Sequence, residues 1–134
     1  MELGMVGLGR MGANMAERLL RGGHKVTGFD PNADARKALE GKGAASADSL
    51  QALVQALPAP RVVWLMVPAG AITDDTVNTL LSLLSPGDTV IDGGNSNYND
   101  TLRRAALYRE HKLNYVDCGT SGGVWGLAEG YSMM

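Results

Sequence analysis

Cysteine is nearly missing from this chain. Cys118 is its single instance, so no disulfide can form within the chain, which fits a reducing compartment. Aromatic residues make up only 5% of the 134 positions, too few for a base-stacking surface. Positive charge is not in excess: 12 Lys and Arg face 14 Asp and Glu, for a net charge of -2. That balance argues against nucleic acid as a partner. His24 and His111 lie far apart with no companion motif, so no group of His, Cys and carboxylate residues has metal-ligand spacing. No apolar run is long enough to span a bilayer. The amino-terminal apolar stretch is too short for a signal peptide, and Arg10, Asn14, Glu17 and Arg18 break the pattern beyond it. A cytoplasmic protein without a membrane partner is expected, and the length suits one domain, residues 1–134, with a real core.

Glycine, by contrast, is abundant, with 18 residues placed at turn positions rather than in a low-complexity tract. The most informative of them form Gly7-Leu8-Gly9-Arg10-Met11-Gly12, preceded by the apolar run Leu3–Val6 and followed by a helical pattern. Gly7 permits a tight turn, Gly9 lets the backbone approach a bound pyrophosphate, and Gly12 lets a helix pack against the strand. The helix start offers free N–H groups and its positive dipole end to phosphates. A glycine-rich connection without a ligand is the alternative. The strand before, the helix after, and Asp30 at the end of the next strand favour a dinucleotide site.

The rest of the chain alternates strand and helix patterns. Strands are expected at Leu3–Val6, Lys25–Asp30, Ala44–Ala45, Val62–Val67, Thr89–Asp92 and Asn114–Cys118. The first helix is expected after Gly12, with Met11, Met15 and Leu19 inward. Asn32 can cap the second helix, and Asp48 or Ser49 the third. Val62–Val67 is apolar throughout, as a strand buried on both faces should be. A helix is expected over about 100–111, with Arg103-Arg104 on a solvated face, and the final segment is expected to stop without a closing element. The order implies an α/β, Rossmann-like, doubly wound and mostly parallel sheet with helices on both faces. Ligands of such folds sit beyond the carboxyl ends of the strands, where the loops at Gly7–Gly12, Asp30, Val67–Gly70, Gly93–Asn97 and Gly119–Gly123 fall.

Each loop offers its own chemistry. The Asp30 carboxylate can accept both hydroxyls of an adenosine ribose and would repel a 2′-phosphate, favouring NAD over NADP, although nearby Arg36 could soften the preference. Capping of the following helix is its alternative role. Asn95 carries donors and an acceptor for a substrate hydroxyl, but Asn and Ser are also default turn residues. Thr120-Ser121-Gly122-Gly123 offers a hydroxyl and backbone N–H groups to a carboxylate or phosphate, or is another glycine-rich turn. Cys118 reads as a small buried residue, with no base to activate it. Trp64 reads as core, and Trp125 as exposed at a binding edge.

These motifs resemble the amino-terminal domain of decarboxylating 6-phosphogluconate dehydrogenases, within the β-hydroxyacid dehydrogenases, over the whole chain. Gly7-Leu8-Gly9-Arg10-Met11-Gly12-x-Asn14-x-Ala16 is similar to the family's start. Asp92-Gly93-Gly94-Asn95-Ser96-x-Tyr98-x-Asp100-Thr101-x-Arg103-Arg104 is the more specific match, and Gly119–Gly123 is similar to its substrate loop. The resemblance implies that Gly7, Leu8, Gly9, Arg10, Met11, Gly12, Asp30, Met66, Val67, Pro68, Ala69 and Asn95 hold the cofactor. It implies that Asn95, Ser121, Gly122 and Gly123 contact 6-phosphogluconate or a related sugar acid. The implied reaction is oxidation of the C3 hydroxyl, loss of CO2 and formation of ribulose 5-phosphate, with NAD preferred, NADP second and no metal. Val124-Trp125-Gly126 is similar to the shorter, NAD-preferring members. The family's catalytic lysine and its acidic partner belong to a later helical region that also dimerises. No catalytic residue is therefore assigned within this chain, a chain inactive alone is expected, and the longer protein is expected to be a homo-oligomer. A dehydrogenase of another β-hydroxy acid, of the 3-hydroxyisobutyrate type, and a stand-alone dinucleotide-binding module are the alternatives.

Overall fold

The computed structural model describes residues 1–134. β1 (Glu2–Val6) leads through the glycine turn into α1 (Arg10–Arg21), followed by β2 (Lys25–Phe29), α2 (Ala33–Glu40) and the two-residue β3 (Ala45–Ser46). α3 (Leu50–Ala56) crosses to β4 (Val62–Leu65), and α4 (Ala71–Leu83), β5 (Thr89–Asp92), α5 (Tyr98–Glu110) and β6 (Asn114–Asp117) complete the alternation. The six strands form one sheet in the order β3-β2-β1-β4-β5-β6, every pair parallel. The direction of strand succession reverses between β1 and β4, which opens a crevice at their carboxyl ends.

Local chemistry sets the helix boundaries. Asn32 accepts the N–H groups of Asp34 and Ala35, Ser49 rather than Asp48 accepts that of Ala52, and Asn97 accepts that of Asn99. α1 begins at Arg10, earlier than expected, so Gly12 lies within its first turn.

Apolar periodicity divides the core between the two faces. One face packs Leu53 and Val54 of α3, Leu57 just past it, Val77 and Leu80 of α4 and Tyr108 of α5 on Val63, Leu65 and Val90. The other packs Met15 and Ala16 of α1 and Leu39 of α2 on Met5 and Val26. Burying a side chain of this size contributes about 1.5–3 kcal/mol.

Three expectations need correction. β4 is fully buried on one face and only partly on the other: Val63 and Leu65 are inaccessible, whereas Val62 and Trp64 are half-buried, Trp64 against the second core cluster. α1 and α2 cover the β1–β2 side of that second face, so Val62, Trp64 and Ile91 floor an open apolar cleft of about 680 Å³. Cys118 is likewise only half-buried. The final segment does close on itself. β7 (Thr120–Ser121) pairs antiparallel with β8 (Ser132–Met133) across a 3-10 turn at Gly123–Trp125 and the short α6 (Gly126–Glu129). No helix is long and apolar enough to cross a membrane.

Candidate dinucleotide and substrate site

Parallel strands bring the loops after β1, β2, β4, β5 and β6 to one edge. At the turn after β1, Gly7 has φ +94°. A Cβ at Gly7 would strike the Met66 carbonyl oxygen, and one at Gly12 would strike the carbonyl oxygen of Gly7. These two glycines are therefore demanded by the protein itself. Gly9 differs: a Cβ there would meet nothing within 4 Å. Gly9 is the N-cap of α1 without any side chain capping the helix. Open space thus lies over a helix start whose first N–H groups have no partner from the chain, which is the shape and polarity a pyrophosphate requires.

Asp30 lies just past β2, half-buried. Its Oδ2 accepts the N–H of Leu8 at 2.9 Å and its Oδ1 that of Asn32 at 2.9 Å. The cap of α2 is Asn32, so the capping alternative for Asp30 does not hold. Each carboxylate oxygen retains a further acceptor site. Leu8 turns inward, with its side chain in the core and its amide committed to Asp30. Arg10 is exposed and Met11 half-buried. The Arg36 guanidinium donates to the carbonyls of Asp30 at 2.8 Å and Pro31 at 3.3 Å, which holds a cation beside the same corner.

The loop after β4 joins the two halves of the edge. Met66 and Val67 pack against the glycine turn, and Pro68 and Ala69 are exposed beyond them. Thr73, fully buried in α4, anchors this loop by donating to the Pro68 carbonyl at 2.8 Å. On its far side, a Cβ at Gly93 would lie 2.7 Å from the Met66 sulfur, and one at Gly94 would lie 3.0 Å from the Val67 carbonyl oxygen.

Asn95 is exposed and lines a pocket of about 300 Å³ with Gly119, Thr120, Ser121, Ser132 and Met133. The structure therefore brings Asn95 and Ser121 together. Gly122 and Gly123 lie outside that pocket: Gly122 backs onto the Tyr131 ring, and Gly123 begins the 3-10 turn. Trp125 is 69% exposed.

Beneath the Asn95 loop lies a polar cluster that sequence reading missed. Arg104, expected on a solvated face, is 1% exposed, and Asp92 is fully buried. The Arg104 Nε donates to Asp74 Oδ1 at 2.9 Å and its Nη1 donates to Ser96 Oγ at 3.1 Å. Burial disfavours the charge of Arg104, yet its pKa moves up because the Asp74 carboxylate accepts its hydrogen bond. Burial also pushes the Tyr115 phenol up, aided by the Asp92 charge beside it. The signal that could have found Arg104 is its spacing from Tyr108, one helical turn along the inward stripe of α5.

A family model for the NAD binding domain of 6-phosphogluconate dehydrogenase matches residues 2–134. The chain is similar to an NAD(+)-dependent, decarboxylating 6-phosphogluconate dehydrogenase of Haloferax volcanii, 45% identical over all 134 residues and covering 44% of that protein. It is 38% identical to a decarboxylating 6-phosphogluconate dehydrogenase of Staphylococcus aureus, over 99% of the chain and 29% of the relative. The chain thus spans less than half the length of these relatives. Among solved structures, a Mycobacterium tuberculosis 3-hydroxyisobutyrate dehydrogenase superposes with TM-score 0.90 at 31% identity, over 99% of this chain and 45% of that one. A Plasmodium falciparum 6-phosphogluconate dehydrogenase, studied with NADP+ and with 6-phosphogluconate, gives TM-score 0.90 at 28% identity, over 100% of this chain and 30% of that one.

Proposed function

This chain belongs to the family of NAD-binding domains of 6-phosphogluconate dehydrogenase, and from that membership we propose that it is the dinucleotide-binding part of an NAD-preferring enzyme that oxidatively decarboxylates 6-phosphogluconate. The observation that carries the reading is the shared pocket of Asn95 and Ser121, joined to the glycine turn through Met66 and Val67. The N–H groups at the start of α1 would hold the pyrophosphate, and Asp30 the adenosine ribose. When bound, the nicotinamide supplies the hydride acceptor. Asn95 would donate to and accept from a substrate hydroxyl, and Ser121 would donate to the sugar-acid carboxylate.

The preference for NAD comes from the charge of Asp30, which would repel a 2′-phosphate, and NADP is the second cofactor. No general acid or base is assigned within residues 1–134. A positioned proton-transfer group contributes about 10²–10⁴ in rate. The chain alone should therefore bind dinucleotide and turn over poorly, with the acid and base supplied by a helical domain of a longer, homo-oligomeric protein.

The test is an initial-rate assay of the whole protein with 6-phosphogluconate and either nicotinamide nucleotide. Release of CO2 together with reduced dinucleotide is expected, with the larger kcat/KM for NAD+. A second reading, oxidation of a smaller β-hydroxy acid, rests on the likeness to the 3-hydroxyisobutyrate dehydrogenase, TM-score 0.90 at 31% identity. A larger kcat/KM for 3-hydroxyisobutyrate than for 6-phosphogluconate would select it.

A further inference from the structure

Asn95 makes no hydrogen bond within the chain and is exposed, so something else must fix where its amide sits. Its two neighbours do so. The N–H of Gly94 donates to Asp92 Oδ1 at 3.0 Å, and the Ser96 hydroxyl donates to Asp92 Oδ2 at 2.5 Å. Asp92, fully buried at the end of β5, thus grips the loop on both sides of Asn95. Tyr115 of β6 donates to the same Oδ2 at 3.2 Å. Arg104 of α5 completes the arrangement: its Nη1 lies 3.1 Å from Ser96 Oγ and 3.7 Å from Asp92 Oδ2, while its Nε holds Asp74 of α4.

Stability alone does not explain this cluster. A buried ion pair gains little over apolar side chains of the same volume, because both charges lose their water. Here the Nη2 of Arg104 is buried with no acceptor at all, a further cost. What the cluster does supply is geometry: Asp92 ties the Gly93–Asn97 loop to β5 and Arg104 ties it to α5, while Tyr115 of β6 and Asp74 of α4 hold those two in turn.

We propose that Arg104, acting through Ser96 and Asp92, is a positioning residue that sets the Asn95 amide for substrate. The inference rests on the assignment of Asn95 to the substrate site. Displacing a binding group by about 1 Å can cost on the order of 10²-fold in turnover, even when the change is made away from the reacting atoms. Loss of the relay should therefore appear chiefly in the chemical step, and less in dinucleotide affinity, to which Asn95 is one contributor among the many residues of the glycine turn, Asp30 and the loop after β4.

The experiment uses the whole protein with 6-phosphogluconate and NAD+, and three variants. Ser96→Ala removes the bridging hydroxyl without leaving a charge unpaired. Arg104→Lys keeps the charge but loses the planar fork, and Arg104→Met removes both. Each is assayed for kcat, KM, NAD+ affinity by calorimetry and thermal midpoint. Ser96→Ala is expected to lose about tenfold or more in kcat/KM for 6-phosphogluconate, with a smaller change in NAD+ affinity and a midpoint lowered less than in Arg104→Met. Arg104→Lys is expected to recover the midpoint lost by Arg104→Met but not its turnover. Unchanged kcat/KM in Ser96→Ala, or recovery of turnover in step with stability in Arg104→Lys, overturns the proposal while leaving the assignment of Asn95 intact. A wild-type protein that binds NAD+ but oxidises no β-hydroxy acid overturns both.

Discussion

The Asp30 carboxylate accepts the backbone N–H of Leu8 at 2.9 Å, which ties the end of β2 to the turn leaving β1. The residue read from sequence as a ribose acceptor is therefore also a strut of the phosphate turn. The two roles are compatible, because a carboxylate oxygen that accepts one N–H can still accept a hydroxyl.

Replacing Asp30 should accordingly be felt twice. Asp30→Ala removes the acceptor for Leu8 and Asn32 and should cost about 1–3 kcal/mol of stability. It should also raise the ratio of NADP+ to NAD+ affinity by about tenfold, a shift of about 1.4 kcal/mol. Thermal melts and titration with each nucleotide check the two effects separately. A destabilised variant with an unchanged ratio would leave Asp30 only the strut.

At the opposite edge of the sheet, Asp88 is the corresponding prediction for stability without binding. Its side chain is 1% exposed; it accepts the N–H of Arg61 at 2.6 Å and of Ser85 at 2.8 Å, and pairs with the Arg61 guanidinium at 3.2 Å. Asp88→Ala should cost about 3–5 kcal/mol by stranding these partners. The NAD+ affinity of the fraction that stays folded should be that of the wild type, as denaturant titration and calorimetry on the same sample would reveal.

Asp74 predicts a pH dependence. Hydrogen bonds from Arg103, then Arg104, hold its carboxyl below the ordinary value of 3.8. The unfolded chain therefore binds a proton at a higher pH than the folded one does. The contribution is complete above about pH 4 and is lost as the pH falls through the lower folded value. The stability gap between wild type and Asp74→Asn should be widest at neutral pH and narrow below about pH 4. A gap that stays constant down to acid unfolding would contradict the ion-pair account.

Period and turn chemistry made most of the architecture legible. The Leu3–Val6 run, the inward stripe of α1 and the caps at Asn32 and Ser49 are local facts, and all stand in the structure. Arg104 was not legible, because its burial depends on Asp74 and Asp92, which only the fold brings near. An arginine pair in a helix reads as solvated until its partners are known. β4 misled for the converse reason: Val62 and Trp64 are apolar, but α1 only flanks them and leaves them lining an open cleft. The β7–β8 pairing escaped notice because two-residue strands carry no period. The Gly93–Asn97 loop was recognisable as a motif, whereas its support by Asp92 and Arg104 required the third dimension.

The glycine turn separates ligand from scaffold within one motif. Gly12→Ala drives a methyl into the Gly7 carbonyl, and Gly9→Ala points one into open space. The decisive measurement is NAD+ titration by calorimetry of Gly9→Ala beside its thermal melt. The expected result is a fold weakened by no more than about 1 kcal/mol, the scale of an N-cap change, with affinity reduced about tenfold or more, or about 1.4 kcal/mol. A folded Gly9→Ala that binds NAD+ as tightly as the wild type would mean that the space over Gly9 is not where the pyrophosphate sits.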